Sequence, residues 1–141
     1  MRIPVKILIV DDHQSVRYAL RGLLTQEPHW QVFEAENGKV ALQIVREIKP
    51  HVVVLDVVMP GMSGIETAFE IRRRGPTPKI ILISSHYTPE EAEMIRRLYA
   101  DGDFIQKSNA GKELIPAISR LLPEKATDAR NGTAREKVFT D

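Results

Sequence analysis

The sequence predicts an α/β fold, in which a parallel sheet carries helices on both of its faces. The main observation is that short, apolar, β-branched runs alternate along the chain with segments whose apolar residues recur at helical spacing. This alternation is typical of strand–helix–strand units, whose strands pair in parallel. The second observation is size, since 141 residues with 43% hydrophobic side chains are enough for one core and a short tail.

The first half of the chain contains three predicted strands and two predicted helices. The strands are Val5–Val10, Gln31–Glu36 and Val52–Leu55. Helical spacing connects Val16, Ala19, Leu20, Leu23 and Leu24 in the first helix, and Val40, Ala41, Ile44, Val45 and Ile48 in the second. We expect Asn37 to cap the second helix with its side chain, and Pro50 to end it.

The second half contains two predicted capping boxes, Ser63 with Glu66 and Thr88 with Glu91, each of which opens a helix. The predicted strands of this half are Lys79–Ser84 and Asp103–Gln106. Asn109 is expected to cap the last helix. The apolar face of that helix consists of Leu114, Ile118, Leu121 and Leu122.

The end of the chain differs in composition from the rest. Residues 124–141 are polar, mixed in charge and poor in apolar side chains, and such segments bury too little apolar area to order themselves. We therefore expect a folded domain over residues 1–123 and a polar linker or C-terminal tail over residues 124–141.

Composition excludes several classes of function. Lys and Arg total 20 and Asp and Glu total 19, so the formal net charge of +1 provides no field that would attract nucleic acid or an anionic membrane. The sequence has no cysteine, which excludes disulfides, thiolate metal sites and cysteine nucleophiles. No segment reads as a signal peptide or as the roughly 20 apolar residues that span a bilayer. We expect a cytoplasmic protein without membrane contact.

Polar residues are predicted to meet at one edge of the sheet. They are Asp11 and Asp12 after the first strand, Asp56 after the third, Ser84 at the end of the fourth and Lys107 after the fifth. The carboxyl ends of parallel strands lie at the same edge, where open α/β sheets bind ligands. We therefore expect these residues to share one cleft although they are far apart in sequence.

The residue types in this cleft point to phosphoryl chemistry. Three carboxylates repel one another unless a cation compensates for them, and oxygen ligands favour Mg²⁺. An aspartate nucleophile, Mg²⁺, a lysine and a hydroxyl are the groups needed to form and hold an acyl phosphate. Each residue alone has a simpler explanation, as a helix cap, a turn residue or a solvated charge. Their joint placement is what predicts a site.

The sequence resembles the receiver domains of two-component response regulators over about residues 5–122. The matching stretches are Ile7–His13, Val54–Gly64, Ile81–Ser85 and Phe104–Lys107. The resemblance implies a flavodoxin-like, doubly wound sheet of five parallel strands in the order 2-1-3-4-5, with five helices. Gln106–Leu114 is most similar to the subfamily with helix-turn-helix DNA-binding outputs.

The resemblance implies a role for each acidic residue. Asp56 would be the phosphoacceptor, phosphorylated by a sensor histidine kinase or a phosphotransfer protein. Asp12, Asp56 and the Val58 backbone carbonyl would bind Mg²⁺ directly, whereas Asp11 would act mainly through water. Lys107 would contact the phosphoryl group.

The resemblance also implies how the signal is passed on and how long it lasts. Ser84 and Phe104 would be a switch pair that couples phosphorylation to the surface of the fourth helix, fifth strand and fifth helix. The alternative is that Phe104 is simply a core residue. Val58 and His86, two residues after the phosphoacceptor and the switch hydroxyl, would tune the lifetime. Ser108 departs from the family, which usually has proline at that position.

The resulting expectation is a receiver without turnover catalysis, which catalyses only its own phosphorylation and dephosphorylation on Asp56. It would control transcription through an attached domain that alone contacts DNA, with homodimerisation on phosphorylation as one further expectation. Alternatives are a stand-alone receiver that acts on a protein partner, a flavin-binding protein and an aspartate-nucleophile phosphatase. The phosphatase needs a second aspartate at the position that Val58 occupies. A flavin-binding protein needs a phosphate-cradling loop after the first strand, and the sequence has none there.

Overall fold

The computed structural model describes residues 3–75, 78–85, 88–99 and 104–122. The predictions on His86, Asp103 and the tail at 124–141 lie outside these residues. The strands are β1 (Val5–Val10), β2 (Trp30–Ala35), β3 (Val52–Asp56), β4 (Lys79–Ser84) and β5 (Phe104–Gln106). The helices are α1 (Gln14–Leu24), α2 (Gly38–Ile48), α3 (Gly64–Arg74), α4 (Pro89–Tyr99) and α5 (Ala110–Leu121).

The predicted fold class is confirmed. The five strands form one sheet in the order β2-β1-β3-β4-β5, and every neighbouring pair is parallel. The strand order reverses direction at β1 and β3, which is the position at which sheets of this kind bind ligands.

The core consists of two apolar layers, one on each face of the sheet. Alternate residues of each strand point to opposite faces, so Ile7 and Ile9 pack with α1 and α5, whereas Leu8 and Val10 pack with α2 and α3. All five residues of β3 are buried. This two-sided burial explains why the strands read as continuous apolar runs in the sequence.

Side-chain caps fix the starts of three helices as predicted. They are Asn37 on α2, the Ser63–Glu66 box on α3 and the Thr88–Glu91 box on α4. Asn37 Oδ1 accepts a hydrogen bond from the Val40 backbone N–H at 2.9 Å. The end of α2 also agrees with the sequence, since Lys49 adopts a left-handed conformation with φ 51° directly before Pro50.

Two local predictions need correction. Asn109 precedes α5, but its side chain accepts no capping hydrogen bond, because the 3-10 turn Lys107–Asn109 holds its backbone near φ −101° and ψ 1° instead of an extended conformation. The second strand begins and ends one residue earlier than predicted, since pairing with β1 matches Val5 with Trp30 and Val10 with Ala35.

One glycine is required by close packing at the end of β3. A Cβ atom on Gly64 would overlap the backbone carbonyl oxygen of Asp56 and lie 2.7 Å from the Val57 Cα. The Gly64 backbone N–H also donates to the Val57 carbonyl at 2.8 Å. The first turn of α3 therefore lies directly against the backbone that carries Asp56.

Replacing Gly64 by alanine is expected to destabilise the domain by about 1–3 kcal/mol, because the added methyl group meets rigid backbone. The matched control is Gly22→Ala in α1, where nothing lies within 4 Å of the added carbon and helix propensity should stabilise the protein by about 0.5–1 kcal/mol. Urea unfolding measures both variants. Similar unfolding free energies for the two variants would contradict the packing argument.

Candidate functional site

Four of the predicted site residues come together at the carboxyl edge of the sheet. Asp56 ends β3, Ser84 ends β4, Asp11 directly follows β1, and Lys107 directly follows β5. Asp11 is fully buried and Asp56 and Ser84 are each 2% exposed. Buried ionised groups are costly unless they are paired, so the two carboxylates require a compensating charge.

Lys107 supplies that charge. Its Nζ lies 2.8 Å from Asp11 Oδ2 and 3.4 Å from Asp56 Oδ1, and its side chain is 18% exposed. One ammonium thereby connects residues from the ends of β1, β3 and β5, which is the convergence that the sequence predicted.

The pKa values of Asp56 and Lys107 are both shifted by burial and by the charged groups around them. Burial, reinforced by the neighbouring Asp11 carboxylate, raises the pKa of Asp56 to about 6 although the Lys107 ammonium opposes the shift. Burial alone would lower the pKa of Lys107, but the carboxylates of Asp11 and Asp56 outweigh it and raise that pKa. Lys107 is therefore a permanent cation, and one ammonium does not fully compensate for the carboxylates around it.

Asp12 and His13 extend the site from the loop between β1 and α1. Asp12 Oδ1 is buried and accepts no hydrogen bond. His13 Nδ1 lies 3.4 Å from Asp11 Oδ1 and 3.4 Å from Asp12 Oδ1, and one ligand atom from each of the three residues lies within 4.8 Å of the others. The sequence analysis did not assign His13 to the site. Its position directly after the acidic pair was the available signal.

A half-buried ion-pair network supports the loop that carries Asp11. Arg17 Nη1 donates to the Asp11 backbone carbonyl at 2.8 Å, and Arg17 Nε pairs with Glu34 Oε1 at 3.0 Å. Arg21 Nε donates to the other Glu34 oxygen, and Arg21 Nη2 donates to the Val32 carbonyl at 2.9 Å. Burial would raise the pKa of Glu34, but Arg21 and Arg17 outweigh it and hold this pKa below its ordinary value.

The sequence analysis missed this network. Arg17 and Arg21 are four residues apart on α1 and therefore lie on one helical face, and Glu34 is a charged residue inside a strand. That combination was the signal that could have identified it.

The predicted switch and lifetime residues have different environments. Phe104 is 6% exposed and packs in the apolar layer on the α2 and α3 side of the sheet, so its ring lies inward in this structure. Its neighbour across the sheet is Leu82, and Ser84 is level with Gln106. Val58 is 69% exposed, although Met59 beside it is buried. The switch and lifetime roles stay predictions.

The chain belongs to the response regulator receiver domain family, whose sequence profile matches residues 7–119. It is 45% identical over 78 residues to the transcriptional regulatory protein YdfI of Bacillus subtilis, covering 55% of this chain and 37% of the relative. It is 31% identical over 119 residues to the response regulator protein VraR of Staphylococcus saprophyticus, covering 83% of this chain and 56% of the relative. The chain thus spans less than two thirds of the length of both relatives.

Solved structures agree with this assignment. A DNA-binding response regulator of the LuxR family from Staphylococcus aureus superposes with a TM-score of 0.74 at 27% identity, covering 83% of this chain and 98% of that one. The response regulator TrrA from Thermotoga maritima, solved in complex with Mg²⁺ and BeF, superposes with a TM-score of 0.73 at 35% identity, covering 84% and 99%. Among the residues described for the present chain, no helix is long and apolar enough to cross a bilayer.

The raised pKa of Asp56 predicts a pH-dependent stability difference in the metal-free protein. Between the ordinary aspartate value of 3.8 and the folded value of about 6, the folded state binds more protons than the unfolded state, so the Asp56 contribution destabilises the protein as pH rises. Asp56→Asn removes this penalty and should stabilise the protein by about 1–3 kcal/mol at about pH 7.5, with the gain vanishing near about pH 4.

Urea unfolding in EDTA at both pH values measures this difference. Glu47→Gln, an exposed substitution near the end of α2 with the same change of charge, is the control and should change the unfolding free energy little at either pH. A destabilised Asn variant at the higher pH would show that Lys107 already compensates fully for the Asp56 charge.

Proposed function

We propose that this chain accepts a phosphoryl group on Asp56 from a sensor histidine kinase or a phosphotransfer protein. The observation that carries the proposal is the position of Lys107 Nζ between the buried carboxylates of Asp11 and Asp56. In a member of the receiver family, this arrangement supports Asp56 as the nucleophile and Lys107 as the cation for the incoming phosphoryl oxygens.

The acidic residues fit a magnesium ion. The buried Asp12 Oδ1 lacks a hydrogen-bond partner. Burial together with the neighbouring Asp11 carboxylate raises the pKa of Asp56 despite the Lys107 ammonium, so a second cation would favour the ionised carboxylate. We assign Asp12, Asp56 and the Val58 backbone carbonyl as direct ligands and Asp11 as a ligand through water, since one Asp11 oxygen already accepts the His13 backbone N–H at 2.9 Å and the other faces Lys107 Nζ at 2.8 Å. When bound, Mg²⁺ would neutralise the carboxylates and polarise phosphoryl oxygens. Mg²⁺ was present in the TrrA structure.

Within this site, the protein groups position the reaction. An Asp56 carboxylate oxygen attacks the phosphorus of the donor, a phosphorus–oxygen bond forms, and the bond from phosphorus to the donor's leaving group breaks with its electron pair remaining on the donor. Lys107 can turn from the carboxylates to the transferred oxygens. The Glu34–Arg17 pair holds the Asp11 backbone in place, so the acidic loop need not reorganise during the step.

Phosphorylation would act as a signal without continuous turnover. Val58 stands where a phosphatase of the aspartate-nucleophile class has its second aspartate, so the chain would catalyse only formation and loss of its own acyl phosphate. Ser84, buried beside the site, would bind a phosphoryl oxygen and transmit the change to Phe104 and the α4, β5 and α5 surface.

The output is proposed to be transcriptional. YdfI is a transcriptional regulatory protein and is more than twice as long as the aligned segment. Residues 1–123 would therefore form the receiver and residues 124–141 a linker to a DNA-binding domain. The protein would form a homodimer on phosphorylation. The kinase partner would bind this protein in the cytoplasm. A sequence without cysteine is compatible with that reducing compartment.

A stand-alone receiver that acts on a protein partner is the second candidate. The observation in its favour is that the chemotaxis protein CheY of Thermotoga maritima is matched over 96% of its length at 32% identity. A reading frame that continues beyond Asp141 into a helix-turn-helix domain would favour the transcriptional output.

The phosphoacceptor assignment predicts that Asp56→Asn abolishes phosphorylation, because the amide is not a nucleophile. Incubation with acetyl phosphate and Mg²⁺, followed by intact-protein mass spectrometry, should add one phosphoryl mass to the wild type and none to the variant. Glu47→Gln, which changes an exposed carboxylate in the last turn of α2 at the opposite end of the sheet, is the control and should gain the same mass as the wild type. A phosphorylated Asn variant would disprove the assignment.

The exposed Val58 side chain predicts a slow loss of the phosphoryl group. An acyl phosphate is lost when water attacks in line, and a valine neither orients this water nor admits it easily. Val58→Asn should therefore accelerate decay by about tenfold, which is less than the range of about 10²–10⁴-fold for positioned acid–base groups because an amide orients the water without taking its proton. His86→Ala tests the other residue that is expected to tune the lifetime of the phosphoryl group. The decay of phosphoprotein after removal of the donor measures both. Equal decay of Val58→Asn and wild type would reject the shielding role.

A further inference from the structure

A second pocket lies at the end of the sheet opposite to Asp56. Its volume is about 520 Å³, within the range of small-molecule sites. The segments before β3 and β4 form one part of its wall, with His51 and Pro78 as lining residues. The last turns of α2 and α3 and the end of α5 form the rest.

The floor of this pocket is apolar and joins the two core layers. Leu42 and Ile71 belong to the layer on the α2 and α3 side, and Leu122 belongs to the layer on the α1 and α5 side. Val45 and Leu121 are half-buried within it. An apolar ligand bound in this pocket would bury apolar surface of both core layers.

The rim of the pocket is cationic. Arg46, Lys49, Arg74 and Lys79 line it and are exposed, and no acidic side chain lines it among the residues that the structure describes. His51 adds a polar group whose position is fixed. Its Nδ1 accepts the Lys6 backbone N–H at 3.0 Å, which leaves Nε2 as the donor of the neutral ring.

Helix capping accounts for only part of this positive charge. Three helices end at the pocket, and each carboxyl end carries about half a negative charge, which favours nearby cations. Arg74 is additionally paired with Glu70, whose Oε1 lies 3.4 Å from its Nε. The other three cations, Arg46, Lys49 and Lys79, still exceed the charge of the helix ends. Cations that no acidic side chain of the described residues pairs with, placed around an apolar floor, match a ligand that is anionic at one end and apolar elsewhere.

We propose that this pocket is a binding site for a small amphipathic anion, with an apolar body of medium chain length and one carboxylate, sulfonate or phosphate group. The apolar body would contact Leu42, Val45 and Ile71, and the anionic group would face Arg46, Lys79 and the His51 ring. The site is independent of phosphorylation, since it uses no residue of the acidic cleft.

The probe for this site is anilinonaphthalene sulfonate, and the single tryptophan provides the signal. Trp30 begins β2, two strands away from β3 in the sheet, or about 10 Å, close enough for energy transfer to a bound probe. The full chain should bind one probe molecule saturably with quenching of Trp30 emission. Decanoate should displace the probe, and decanol should do so only at about tenfold higher concentration.

A pair of charge variants separates this site from non-specific binding. Arg46→Gln combined with Lys79→Gln should weaken probe and decanoate binding about tenfold and leave decanol unaffected. Lys39→Gln combined with Lys112→Gln removes the same charge from exposed positions at the starts of α2 and α5, and it should change affinity less than twofold. Equal affinities of the two double variants, or no saturable binding by the wild type, would overturn the proposal.

Two further outcomes would identify a different occupant and also overturn it. Phe139 is the one aromatic residue after Leu122. Tighter probe binding by Phe139→Ala would show that the chain's own C-terminal segment fills the pocket. Probe affinity that falls as protein concentration rises would show that a second copy covers it. Unchanged affinity in both measurements supports a site for a small anion.

Discussion

The carboxylates of Asp11 and Asp56 are buried together at one end of the sheet, and Lys107 faces both of them. Such a pair is unfavourable unless positive charge compensates for it, and one ammonium leaves the pKa of Asp56 raised to about 6. The site is therefore built to gain further positive charge. This unmet requirement connects the apolar strands that bury the carboxylates, the lysine that follows β5 and the divalent cation that the acidic loop fits.

The surrounding structure holds this unfavourable arrangement in place. Arg17 fixes the Asp11 backbone from α1 and is itself held by Glu34 of β2. The outermost strand also contacts this backbone directly, since the Asp11 N–H donates to the carbonyl of Ala35, the last residue of β2, at 3.2 Å. On the other side, Gly64 allows α3 to begin directly against the carbonyl of Asp56. Both carboxylates are thus positioned through their backbones before any ligand binds.

The order of strands and helices and the meeting of Asp11, Asp56 and Lys107 at one edge of the sheet could be predicted because each rests on a local pattern. Apolar runs define the strands, Ser63 and Thr88 define helix starts through capping boxes, and parallel pairing places the strand ends at one edge. Features that depend on contacts between distant segments were not predictable in the same way. Asn109 is a residue type that often caps helices, yet the 3-10 turn Lys107–Asn109 prevents its side chain from capping α5. The pairing of Glu34 with α1 depends on where β2 lies in the sheet.

The composition of β3 has a consequence for how the sheet finds its alignment. Val52, Val53 and Val54 present the same side chain to both faces, so sliding this strand by one residue would exchange valine for valine at two of its five positions and change the apolar packing there little. The ends of the strand distinguish the alignments. His51 exchanges hydrogen bonds with Lys6 and accepts one from Lys79, and Asp56 meets Lys107. In a slipped sheet the aspartate would lose its lysine and enter the apolar layer. The residue proposed to receive the signal would therefore also act, during folding, as the marker that fixes the central strand in its correct alignment.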